Sequence, residues 1–139
     1  MFICDYKGNS LVECLQNVES FKIFSSGKTK EIKVKNKEFV LIKDRLEDLF
    51  YSSRVMPAFG VSLHNETLNA LNYEEWLQIN FSKELQINGL NFNALLFKLD
   101  NARGINLIRL YNGKYDGRCI YLDFDEEKDL HLILNTLDN

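Results

Sequence analysis

The chain has 139 residues, 45% hydrophobic and 12% aromatic, which excludes a disordered polymer and suits one domain rather than two marginal cores. Seventeen Lys and Arg against twenty Asp and Glu leave a formal net charge of −3, too mild to point to nucleic acid or an acidic membrane surface. No apolar run approaches the ~20 residues of a membrane-spanning helix, and MFICDYKG lacks the basic start of a targeting segment.

Cys4, Cys14 and Cys119 are an odd set with no CxxC spacing, so free thiols in a reducing, cytoplasmic setting are expected. These cysteines and two histidines give no metal-ligand spacing, and no nucleotide or cofactor fingerprint occurs. Neither a metal nor a cofactor is predicted.

In chain order, FICDY (2–6) suits a short strand. Ser10 and Glu13 form a capping box, and Leu11, Cys14, Leu15 and Val18 recur at helical spacing, predicting a helix over about 11–18. SFKIFS (20–25) and EIKVK (31–35) alternate and read as a hairpin turned at SGKTK, with lysines along its wet side. KEFVLI (37–42) is a third strand candidate. Asp44 and Glu47 then suggest a capped helix over about 45–54.

RVMPAFGVSLH (54–64) has neither period and reads as an irregular loop. Asn65 suits the cap of a short helix through Leu71. EEWLQINF (74–81) alternates with Leu77, Ile79 and Phe81 on one face, and Asn88-Gly89 marks a hairpin turn. The clearest stretch follows, three antiparallel strands at 92–99, 104–111 and 117–124. An acidic first turn then precedes Leu130, Ile133, Leu134 and Leu137, predicting a helix over about 126–137.

Strands in runs with helices between them indicate a single α+β domain over residues 1–139. Its mainly antiparallel sheet is built on the central meander (about 92–124), with two to four helices packed on it.

Hydrophobic matching sets the meander's register. A DNARG loop pairs Leu99 with Ile105 and Phe97 with Leu107. An NGKYDG loop pairs Tyr111 with Arg118, Leu107 with Leu122 and Ile105 with Phe124. One face then carries Leu95, Phe97, Leu99, Ile105, Leu107, Ile120, Leu122 and Phe124, and changes to Asn93, Arg109, Tyr111 and Arg118 at one end. The other face carries Ala94, Leu96, Ile108, Leu110, Cys119 and Tyr121. A sheet apolar on both sides calls for cover on both.

The chain has only five arginines, and lysine is its default cation, so Arg109 and Arg118 mark places where a planar fork was wanted. With Asn93, Tyr111 and Tyr115 they form the candidate binding site. Two guanidiniums and phenols suit a carboxylate, a phosphate or a protein partner. The competing reading has Arg109 and Arg118 stacking on Tyr111 and Tyr115 and pairing with Asp116 at an ordinary strand end.

Arg54, Phe59 and His64 of the irregular loop form a secondary candidate. GVSLH (60–64) is no nucleophile elbow, no catalytic residue is assigned, and the lysines of 28–37 read as a solvated sheet edge. The expectation is a small cytoplasmic protein that binds a protein partner, of the accessory, inhibitor or immunity kind. No role with nucleic acid or membrane is expected. The alternative is a small-ligand binder or enzyme with an Arg/Tyr anion clamp.

Overall fold

A computed structural model describes residues 2–4, 8–57, 64–87, 89–99 and 104–123. The first elements are β1 (Phe2–Cys4), α1 (Gly8–Cys14) with a 3-10 turn at Leu15–Asn17, β2 (Val18–Ser25), β3 (Lys28–Lys33) and α2 (Lys37–Ser52). They are followed by β4 (Arg54–Pro57), α3 (His64–Ala70), β5 (Glu75–Ile87), β6 (Leu90–Lys98), β7 (Gly104–Tyr111) and β8 (Lys114–Asp123). The strands form one sheet in the order β3-β2-β5-β6-β7-β8-β4. All neighbours on this path are antiparallel; β1 lies off it, parallel to the last residues of β5. The fold is α+β, with three helices among the described residues on a mainly antiparallel sheet. No helix among the described residues is long and apolar enough to cross a membrane.

Local chemistry explains most boundaries. Ser26 and Gly27 both take positive φ, 48° and 86°, which is the backbone of the tight turn that right-twisted hairpins favour. Residues 37–42 are the first turns of α2 and not a strand. Their brief alternation belongs to a longer helical pattern, in which Phe39, Ile42, Leu46, Leu49 and Phe50 are all buried. Asp44 therefore lies inside a helix instead of capping one. Asn36 precedes α2, and its Oδ1 accepts from the Lys33 N–H at 2.7 Å, closing the turn out of β3. Residues 54–57, expected in a loop, form the edge strand β4 beside β8. The expected helix at 126–137 lies outside the described residues.

The meander is present. Between β6 and β7 the register is the expected one: Leu95 faces Arg109 and Leu96 faces Ile108. Between β7 and β8 it differs. The turn is tight at Asn112 and Gly113, with φ of 52° and 78°, so Tyr111 pairs with Lys114. Irregularities between Leu107 and Leu110 then bring Leu107 opposite Ile120 and Ile105 opposite Leu122. In the interior the offset from expectation is even, so the same side chains stay on the core face.

That face forms the main core. Leu77, Ile79, Leu95, Phe97, Leu107, Ile120 and Leu122 are packed with Leu11 and Cys14 of α1 and the buried stripe of α2. The reverse face has a smaller cluster of Phe24, Leu71, Leu96, Ile108 and Tyr115. α3 lies beside β8 here, and its first residue, His64, stacks on Tyr115. Among the described residues the sheet is thus covered unequally: two helices on one side, one short helix on the other.

Candidate functional site

The expected site lies where β6, β7 and β8 end together. Arg109 projects from β7 with its side chain 15% exposed. Its Nη1 donates to the Asn91 carbonyl on β6 at 2.6 Å, and its Nε donates to the Asp116 carbonyl on β8 at 2.9 Å. Its Nη2 donates to the Asp116 carboxylate at 2.8 Å, and the guanidinium lies 5.8 Å from the Tyr111 ring centre. Every guanidinium nitrogen has a protein acceptor. Arg109 is therefore a clip across three successive strands, close to the structural alternative weighed from sequence.

The neighbours extend the same lattice. Asn93 Oδ1 accepts from the Asn112 N–H at 3.3 Å, bracing the tight turn. Asn91 joins Gln86 at 2.7 Å and Glu84 at 3.1 Å. Arg118 is opposite Ile108 in the register and not opposite Tyr111; its side chain lies outside the described residues.

Tyr115 belongs to the reverse face. Its backbone N–H donates to His64 Nδ1 at 3.0 Å, and the two rings stack with centres 5.8 Å apart. Its hydroxyl donates to Gln78 Oε1. Gln78 Nε2 donates to Asn80 Oδ1 at 2.8 Å, and Asn80 Nδ2 donates to Ser20 Oγ at 3.1 Å. A polar chain thus runs over the sheet from β8 to β2, with Gln78 and Ser20 both buried. Sequence reasoning missed Gln78 and Asn80, although they alternate with Leu77, Ile79 and Phe81 on one strand. Burial pushes the Tyr115 phenol above its ordinary pKa, because the phenolate would lose its water.

The secondary candidate is divided. His64 meets Tyr115 at the same end of the sheet as Arg109 but on the opposite face. Arg54 pairs with Asp123 at 2.5 Å, at the far end of β8. Phe59 lies outside the described residues. A cavity of about 410 Å³ opens at the outer strands, lined by Glu19, Ser20, Glu31, Lys33, Val34 and Lys35, well away from Arg109. A 3.4 Å ion pair between Lys33 and Glu31 already matches charges in its wall. Among the described residues no group of three or more His, Cys, Asp or Glu is placed to hold a metal. No buried side-chain nitrogen or oxygen there lacks a hydrogen-bond partner.

Four of the six exposed large apolar side chains among the described residues, Val34, Val40, Leu41 and Tyr51, fall within residues 34–51; Leu68 and Tyr73 are the other two. Three of the first four project from the outer side of α2. Comparison of the chain with protein-family models, with curated proteins and with solved structures finds no match in any of the three.

Proposed function

We propose that the protein acts by binding a protein partner, as an accessory, inhibitor or immunity-type protein, and that α2 presents the contact surface. The observation carrying this reading is that four of the six exposed large apolar side chains among the described residues lie on or just before that helix. A single exposed leucine needs no explanation, but a rigid patch that combines apolar and aromatic groups is what partner surfaces are made from. The polar end of the sheet offers less, because Arg109 already has protein acceptors at each nitrogen. A cytoplasmic setting is part of the proposal. Its support is the cysteine usage of the sequence, an odd set of three with no CxxC spacing.

The test is co-purification of tagged protein from its own cells, followed by reconstitution from the two purified components. Wild type should bind stoichiometrically, and the Leu41→Ser, Tyr51→Ser double variant should not, with its thermal unfolding unchanged. Loss of binding on Arg109→Lys alone, with the α2 variant still active, would move the surface to the sheet end. Recovery of a stoichiometric small molecule in place of a protein would favour a ligand-binding role.

A further inference from the structure

We infer that the outer face of α2 docks a basic segment of a protein partner, an inference that rests on the partner-binding reading above. Leu41, Asp44, Asp48 and Tyr51 follow one another at steps of three and four residues, which places them on one line of a helix. Val40 and Glu47 flank the line at the same spacing. All but Glu47 are exposed, Tyr51 by 74% and Leu41 by 49%. Apolar groups thus stand at both ends and three carboxylates in the middle. Among the described residues no ion pair or side-chain hydrogen bond engages Asp44 or Asp48.

The arrangement selects its occupant by charge. A second copy packed against this face in antiparallel fashion would set Asp44 against Asp48, and a parallel one would set each acid against itself. Either pairing leaves like charges unrelieved. Nucleic acid and anionic lipid would bring phosphates to the same carboxylates. A lysine- or arginine-bearing segment relieves the charge, and an apolar residue on each side of it would meet Leu41 with Val40 at one end and Tyr51 at the other. Arginine would gain most, since its fork matches a carboxylate and its plane stacks on a phenol. The opposite side of the helix is anchored by Phe39, Ile42, Leu46, Leu49 and Phe50, so the docking line is held on a rigid support.

The experiment places a photo-crosslinking amino acid at Val40, and in a separate variant at Thr29 on the lysine-bearing β3 edge, and irradiates both in the native cells. The crosslinked peptide is sequenced, and binding of the purified partner is measured against salt and against Asp44→Asn, Asp48→Asn. The expected result is a protein crosslink from position 40, to a peptide carrying Lys or Arg beside apolar residues. The double Asn variant should bind at least ~10-fold more weakly, with unchanged unfolding and a flatter salt dependence. A crosslink to a neutral or acidic peptide, or affinity indifferent to the Asn changes, overturns the basic-segment inference and leaves partner binding standing. A crosslink to a second copy of this chain, or to nucleic acid, overturns it as well. A protein captured only from position 29 overturns the α2 surface, and capture of nothing from either position overturns the partner-binding reading itself.

Discussion

Arg109 shows how a residue type that invites a functional reading can be absorbed by architecture. A guanidinium buried to this degree is costly unless its donors are matched, and here they reach one carbonyl on each flanking strand and one carboxylate. Arg109→Ala should destabilise the fold by about 2–3 kcal/mol in urea denaturation, because charged hydrogen bonds of this kind are among the stronger ones. Arg109→Lys should recover less than half, since an ammonium cannot reach three diverging acceptors. An unchanged midpoint in the Ala variant would show that the clip contributes nothing.

Tyr115 makes a second prediction at this scale. Removing its hydroxyl leaves Gln78 Oε1 buried and unmatched, so Tyr115→Phe should cost about 1–3 kcal/mol near neutral pH. The folded state raises the phenol's pKa, so the stability that the neutral phenol provides is complete below the ordinary value of about 10 and is lost as pH climbs through the raised one. Denaturation of both proteins at stepped alkaline pH should therefore show their difference shrinking above about pH 10. A constant difference would mean that the phenol titrates alike in the folded and unfolded states, so that burial does not raise it.

At the scale of elements, the meander carries the core. Leu107 is fully buried, lies opposite Ile120, and belongs to the main core cluster together with the buried side chains of α1 and α2. Leu107→Ala should cost on the order of 2–5 kcal/mol, and a loss below ~1 kcal/mol would remove β7 from the centre of the sheet. The three strands were legible because β-branched, aromatic and leucine side chains alternate there with turn residues between them. The start of β8 was not. It begins at Lys114 and not 117, because Asn112 and Gly113 both accept positive φ and close the turn tightly. Without a bulge, such a tight turn would oppose Leu107 to Arg118, so hydrophobic matching alone disfavours it. Irregular pairing between Leu107 and Leu110 removes the conflict, and no pattern in the sequence announces it. The segment 37–42 failed for the complementary reason: six residues that alternate briefly cannot be told from the opening turns of a helix until the next ten are read with them.

Across the whole molecule, the pattern of apolar side chains by itself determined the class of fold, the β6–β7 register and the need for cover on both faces of the sheet. Burial of apolar area is additive along the chain and leaves a periodic record in it. The position of polar groups leaves no such record. Only the tertiary structure decided that Arg109 is a clip, that Tyr115 turns to the reverse face and meets His64, and that Gln78 and Asn80 join it in one chain. Hydrogen-bond partners come from distant strands, and a one-residue irregularity reassigns them. The exposed face of α2 is a mixed case. Its line of Leu41, Asp44, Asp48 and Tyr51 is written in the sequence at helical spacing, yet it became visible only once residues 37–52 were seen as one helix with its opposite side buried, because exposure depends on what the rest of the chain covers.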